Sequence, residues 1–132
     1  MIKSIKVNRI SEHRGVVSNG GEGSFRFTKK ERIAQAGEFR RIMKYGKRIS
    51  SKKFVLFIKR NEHTFPRLGI IAKKEIGPAA FRNQMKRYVR EFFRHHKHQI
   101  KGSNDLIVVM KKGCSLRRYR EAEEELRGLL VL

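Results

Sequence analysis

The sequence predicts one domain that mixes helices and strands, in the order helix, strands, helix, strand, helix. Three observations lead to this fold class. From Ala80 to His98, apolar residues recur at intervals of three and four, as they do on one face of a helix. The segments Lys53–Lys59 and Arg67–Lys73 are short and rich in β-branched and apolar residues, which is typical of strands. The length of 132 residues allows one modest hydrophobic core but not two.

The start of the chain lacks such patterns. Residues 1–24 show no sustained apolar period, and residues 18–24 are rich in glycine. We therefore expect residues 1–24 to form a flexible basic N-terminal extension. Residues 25–132 are expected to form a single α/β domain, and the charge described below favours nucleic acid as its partner.

The first helix is predicted from about residue 33 to residue 45. Phe39, Ile42 and Met43 share one side of it, and Gly46 is placed to end it.

The first predicted strand has two different faces. Phe54, Leu56 and Ile58 form a fully apolar face. The opposite face mixes cations with apolar groups and consists of Lys53, Val55, Phe57 and Lys59. Phe65-Pro66 supplies a turn to the second strand, whose core face carries Leu68, Ile70 and Ala72. Gly69, on the other face, is expected to leave the backbone accessible.

Three elements complete the chain. Gly77-Pro78 ends the strand region. Proline is tolerated in the first turn of the long helix that follows. That helix should end before Gly102, and Leu106–Met110 is predicted to be a short buried strand. Ser115 is a candidate N-cap for a final helix. The apolar face of this helix would consist of Leu116, Tyr119, Ala122, Leu126, Leu129 and Leu130.

The long helix has two faces of opposite character. Its apolar face consists of Phe81, Met85, Tyr88, Val89, Phe92 and His96. Its other face carries Asn83, Lys86, Arg87, Arg90, Arg94 and Lys97. Glu91 is the only acid in the segment, so we expect the regular ion pairs of a solvated helix to be missing. A helix with this distribution is suited to lie against a phosphate backbone.

The overall charge points to the same partner. The chain has 33 Lys and Arg against 12 Asp and Glu, which gives a net charge of +21. The basic pairs are spread along the whole chain, so a polyanion such as nucleic acid is the favoured partner. No apolar run approaches the roughly 20 residues of a membrane span or the core of a signal peptide. We therefore expect no membrane association and a cytoplasmic location. Cys114 is the only cysteine, so neither a disulfide nor a thiolate zinc cluster is expected.

Two segments together resemble the signature of the bacterial ribonuclease P protein component. The first is RLGIIAKK at residues 67–74, followed by Ile76-Gly77, and the second is RNQMKRYVRE at residues 82–91. The resemblance extends from Phe27 to about Leu132. It implies an α+β fold, an α/β sandwich with a four-stranded sheet and a left-handed βαβ crossover, which departs from the usual handedness.

The resemblance also implies a function. Members of the family bind a catalytic RNA subunit and assist the endonucleolytic removal of the 5′ leader from precursor tRNA. It implies that hydrolysis belongs to the RNA and to Mg²⁺ ions bound mainly by it, with no catalytic residue on the protein. The partners would be the catalytic RNA and precursor tRNA, and we expect the protein to be monomeric without RNA.

Two sets of site residues follow from the resemblance and from the cation pattern. Catalytic-RNA binding is assigned to Arg82, Asn83, Gln84, Lys86, Arg87, Arg90 and Arg94. A leader-binding cleft between the first helix and the sheet is assigned to Phe39, Met43, Lys53, Val55, Phe57, Lys59 and Lys73. The mixed strand face suits single-stranded RNA, because aromatic rings stack on bases and cations follow phosphates. The alternative is that Phe39 and Phe57 are core residues.

Some positions depart from the family pattern. Gln84 stands where the family usually has a second arginine, so it keeps hydrogen-bonding capacity but loses charge and the guanidinium fork. Met43 occupies a commonly aromatic position and gives up ring stacking.

The sequence gives little support for catalysis by the protein itself or for other functions. His95, His96 and His98 are the only histidine cluster, and no carboxylate nearby in sequence completes a metal site with them. No metal site on the protein is therefore predicted. A ribosomal protein that binds ribosomal RNA is the alternative function, since basic α/β domains of this size are common there. A helix-turn-helix DNA-binding module is weaker, because no short helix and tight turn precede the long helix.

Overall fold

The computed structural model describes residues 26–100 and 102–132, so the predicted extension over residues 1–24 lies outside the described part. The helices are α1 (Ala36–Tyr45), α2 (Ala79–His96) and α3 (Tyr119–Leu130). The strands are β1 (Lys47–Ser50), β2 (Phe54–Arg60), β3 (Arg67–Ile71) and β4 (Asn104–Met110). No helix in the described part is both long enough and apolar enough to cross a membrane.

The strands form one mixed sheet in the order β1-β2-β4-β3. β2 pairs antiparallel with both β1 and β4, whereas β3 pairs parallel with β4. The connection between the two parallel strands contains α2. The predicted α+β fold with a four-stranded sheet is confirmed.

The larger core lies between one face of the sheet and the helices α2 and α3. Phe54, Leu56, Leu68, Leu106 and Val108 face it from the sheet. Met85, Val89, Phe92 and Phe93 of α2 and Ala122, Leu126, Leu129 and Leu130 of α3 close it. The apolar faces predicted for β2, β3 and both helices are confirmed, and Phe93 is an addition to them.

A smaller apolar cluster lies on the opposite face of the sheet, beneath α1. Its buried members are Ile33, Ile42 and Ile107. Half-buried apolar residues surround them, namely Phe39, Met43, Phe57, Ile71 and Val109. Each face of the sheet therefore has its own helical layer.

Two predicted helix starts are wrong. α1 begins at Ala36 rather than near Ile33, because the backbone N–H of Ile33 donates to the Leu68 carbonyl oxygen at 2.9 Å and keeps the segment extended beside β3. α3 begins at Tyr119, so Ser115 is not its N-cap. The chain remains extended at Arg118 while Leu116 fills the core.

The accessibility of Gly69 also differs from the prediction. It is buried, and a Cβ atom built on it would lie 2.7 Å from the ring of Phe39. Phe39 therefore covers the backbone that we expected to be accessible, and glycine is required here because the ring approaches so closely.

Candidate nucleic-acid interface

The cationic face predicted for α2 exists on the outer side of that helix. Asn83 and Arg87 are exposed, and Arg82, Gln84, Lys86, Arg90 and Arg94 are partly buried. The Nε of Arg82 donates to the Gly77 carbonyl oxygen at 3.1 Å, so part of this guanidinium is used to hold the start of the helix. The other cations project from a rigid helix whose opposite side is anchored in the core.

Arginines from the start of the domain extend this face. Arg26, Phe27 and Arg32 join Arg87, Arg90, Glu91 and Arg94 around an open concavity of about 420 Å³. Burial lowers the pKa of the Arg90 guanidinium, and the charges of Arg32 and Arg87 lower it further. Like charges that converge in this way require an anion to neutralise them. Sequence analysis missed Arg26 and Arg32 because nothing in the pattern shows that their segment returns to α2.

The one acid of this face is not isolated. The Glu91 Oε2 atom lies 2.9 Å from Nη2 of Arg94 and 3.3 Å from Nε2 of His95. Burial alone would raise the pKa of Glu91, but the hydrogen bonds from Arg94 and His95 outweigh it and lower the pKa. The expectation that α2 lacks such ion pairs is therefore wrong at this position.

Lys97 does not belong to the cationic face. Its side chain is only 6% exposed and its Nζ lies 2.8 Å from Oε2 of Glu31. It follows the last turn of α2, where the chain has already turned inward.

The mixed face of the sheet forms the second part of the interface. Arg48, Phe57, Ile107 and Gly69 form one row across the four strands, and Ser50, Val55, Val109 and Ile71 form the next. α1 covers the end of the first row at Gly69, where Phe39 lies. Phe57 is half-buried, while Val55 is buried. Arg48 and Ser50, at the β1 edge of these rows, are exposed. We call the half-buried surface around Phe39, Met43 and Phe57 the cleft.

The three lysines assigned to the cleft have different positions. Lys59 is half-buried in the row that also contains Asp105 and Arg67, and Lys73 is exposed beyond the end of β3. The structure places Lys53 away from the cleft. Lys53 precedes β2, and its Nζ donates to the Ser115 carbonyl oxygen at 3.2 Å, while its backbone N–H donates to Oε2 of Glu125 at 3.0 Å. Both contacts lie on the side of α3.

A buried ion network fixes α1 over this face. Arg67 donates from Nε to Oδ1 of Asp105 and from Nη2 to Oδ2, each at 2.9 Å. The same Nη2 lies 3.2 Å from Oε2 of Glu38 in α1, and Asn61 donates to Oδ1 of Asp105 at 2.7 Å. The hydrogen bond to Asp105 raises the pKa of Arg67, against the effect of burial. The network therefore ties the start of α1 to β3 and β4.

His96 and Cys114 both have packing partners. His96 stacks on Phe92 with ring centroids 4.5 Å apart, and its Nε2 lies 2.8 Å from Oε2 of Glu123. Cys114 is buried in the larger core, and burial raises the pKa of its thiol. Across the described residues, no three His, Cys, Asp or Glu side chains come together as metal ligands would.

Comparison with known proteins identifies the family. The family model described as Ribonuclease P matches residues 27–131. The chain belongs to the ribonuclease P protein family. It is 39% identical over 103 residues to the ribonuclease P protein component of Syntrophus aciditrophicus, covering 78% of this chain and 87% of that one. The component of Thermotoga maritima is 38% identical over 89 residues, covering 67% and 76% of the two chains.

Solved structures agree with this assignment. The ribonuclease P protein of Staphylococcus aureus superposes with a TM-score of 0.71 at 32% identity, covering 76% of this chain and 93% of that one. That of Thermotoga maritima gives a TM-score of 0.70 at 35% identity, covering 76% and 94%. The family resemblance inferred from the sequence is confirmed. As a ribonuclease P protein component, the chain takes part in ribonuclease P activity and in the 5′ maturation of tRNA.

Proposed function

We propose that this protein binds the catalytic RNA subunit of ribonuclease P through the outer face of α2 and the 5′ leader of precursor tRNA in the cleft. The observation that carries the first part is the arginine concavity, where Arg32, Arg87 and Arg90 converge and only Glu91 opposes them. Phosphate groups of a folded RNA supply the charge that this surface needs. The ribosomal-protein alternative loses its support, because the family match extends over almost the whole described domain.

The cleft suits a single strand. Phe57 of β2 and Phe39 of α1 each have a partly exposed ring in the cleft. Lys59 and Arg48 occupy neighbouring positions of the sheet. Rings stack on bases of any identity and cations follow the phosphates, so such a surface accepts leaders of different sequence. This matches the task of a processing enzyme that acts on many precursor tRNAs.

Hydrolysis is assigned to the RNA subunit. Mg²⁺ prefers several oxygen ligands, and the described residues bring together no such set of carboxylates. We expect the ions to be held mainly by the RNA subunit. The protein would be part of an endoribonuclease only within the complex. Its cytoplasmic location and monomeric state without RNA stay predictions.

The α2 assignment predicts a change in salt dependence. Replacing Arg87 or Arg90 by Ala should weaken binding to the cognate catalytic RNA. The slope of log Kd against the logarithm of the salt concentration should fall by about 0.7–0.9 for each phosphate that the variant no longer neutralises. Affinity is measured by filter binding over a series of salt concentrations. Arg120→Ala is the matched control, because Arg120 is an exposed arginine of α3, and it should keep the wild-type slope. Wild-type slopes for both α2 variants would reject the assignment.

The extension has its own prediction. Deleting residues 1–24 leaves Arg26 and Phe27, which pack on the end of α2, in place. The melting temperature of the free protein should therefore stay within about two degrees of wild type, since a loss of roughly 0.25 kcal/mol shifts it by about one to two degrees. Affinity for the catalytic RNA should fall modestly and in a salt-dependent way, because Lys3, Lys6, Arg9 and Arg14 are removed. Failure of the truncated chain to fold would place the domain boundary earlier.

A further inference from the structure

The segment from Arg26 to Arg32 connects the end of α2 with the edge of β3. At one end, the Phe27 ring packs edge-on against Phe93 of α2, with centroids 5.2 Å apart. At the other end, Arg32 forms a parallel bridge with Leu68, and the Ile33 N–H donates to the Leu68 carbonyl oxygen. The segment has no long helix or strand of its own, so its position depends on these attachments.

A buried ion pair holds the middle of the segment. The Lys97 Nζ lies 2.8 Å from Oε2 and 3.0 Å from Oε1 of Glu31, and it also donates to the Arg26 carbonyl oxygen. The two side chains are 6% and 9% exposed. Thr28 donates to Oε1 of Glu31 from its backbone N–H at 2.8 Å and from its hydroxyl at 3.0 Å. A buried ammonium that is fully paired in this way is strongly tied to its carboxylate.

Arg32 directly follows Glu31 in this segment. The Arg32 guanidinium lies over the Phe27 ring, 4.8 Å from its centroid, and donates weakly to the Phe27 carbonyl oxygen at 3.5 Å. From there it lines the arginine concavity beside Arg87 and Arg90. Lys97 itself cannot contact RNA, because it is buried.

We propose that Glu31 and Lys97 are positioning residues of the RNA interface, and that their buried ion pair fixes the Arg26–Arg32 segment so that Arg32 binds the same stretch of RNA phosphates as α2. The proposal rests on the proposed binding of the catalytic RNA by α2. It assigns a role to two residues that lie outside the RNA-facing surface. It also explains why a carboxylate is kept within a strongly basic region.

The decisive variant is Glu31→Gln, because its two possible effects have opposite signs. The substitution raises the net charge of the protein by one, so charge alone would tighten RNA binding. If Glu31 positions the segment, the unpaired Lys97 ammonium releases it, and Arg32 no longer binds its phosphate firmly. We then expect weaker binding of in vitro transcribed ribonuclease P RNA and a salt slope reduced by about 0.7–0.9. Hydrogen exchange over residues 26–33 should become faster.

A double-mutant cycle separates positioning from a general loss of structure. Arg32→Ala alone should reduce the slope by the same amount, and Glu31→Gln combined with Arg32→Ala should reduce it no further than either single change. Glu62→Gln, which adds the same charge in the exposed β2–β3 loop, should not reduce the slope. Additive losses in the cycle, or a wild-type slope for Glu31→Gln, would overturn the proposal.

A second variant covers the case in which Glu31→Gln fails to fold. Phe27→Ala removes the other attachment of the segment without changing any charge, and it should give the same reduced slope and faster exchange. A wild-type slope for Phe27→Ala would equally overturn the proposal. Failure of the underlying function is distinguished by Arg87→Ala. If both that variant and Arg90→Ala keep the wild-type slope, α2 does not bind the RNA. A reduced slope for the α2 variants together with a wild-type slope for Glu31→Gln rejects only the positioning role.

Discussion

Replacing Asp105 by Ala should lower the free energy of unfolding by about 3–5 kcal/mol, because it leaves a buried guanidinium without its main partner. Asp105 accepts two hydrogen bonds from Arg67 and one from Asn61, and the side chains of Arg67 and Asp105 are only 10% and 6% exposed. Glu38 remains as a partner of Arg67, but it is itself 26% exposed and contributes less. Chemical denaturation followed by circular dichroism measures the change.

Two further variants test the physical reason. Glu124→Ala removes a carboxylate that is 73% exposed and lies 3.9 Å from Arg120, so it should have little effect on stability. Arg67→Met combined with Asp105→Leu replaces the buried pair with apolar groups and should recover much of the stability that Asp105→Ala removes. An Asp105→Ala protein as stable as wild type would show that the network contributes no net stabilisation.

The elements with a strong apolar period were predictable from the sequence, and those without one were not. α2, β2 and β4 were predicted within a few residues because each buries an apolar face in the larger core. β1 has the sequence KRIS, in which only Ile49 packs against the core, so nothing in its pattern marks a strand. It forms because Gly46 turns the chain tightly back from α1, so that β1 can pair with β2.

The positions of several site residues depend on contacts between residues that lie far apart in the sequence. Lys97 continues the spacing of the cationic face of α2, but it is paired with Glu31, which lies 66 residues away in the sequence. Lys53 fits the alternation of β2, but the strand begins one residue later and the lysine turns to Ser115. Arg32 belongs to no cationic run, yet it stands beside Arg90. Periodicity describes one element at a time, so it could not show these three arrangements.

Replacing Phe57 by Ala should weaken binding of precursor tRNA to the holoenzyme by about 1–3 kcal/mol, which corresponds to about 5- to 150-fold, if a leader base stacks on this ring. Binding of mature tRNA, which has no leader, should remain nearly unchanged. The ring is half-buried, so part of it packs in the small cluster beneath α1 and the rest is exposed. Equilibrium binding of the two tRNAs to holoenzyme reconstituted with each variant measures the difference.

Phe57→Leu separates stacking from packing. Leucine keeps an apolar side chain in the small cluster beneath α1 but has no ring, so this variant should be nearly as stable as wild type and still lose most of the leader-dependent affinity. Phe65→Ala is the matched control, since Phe65 is a half-buried ring in the β2–β3 loop beside His63 and Lys30. It should leave the preference for precursor tRNA intact. If Phe57→Leu binds precursor tRNA like wild type, while Phe57→Ala loses stability and affinity for both tRNAs, then Phe57 serves the core and not the leader.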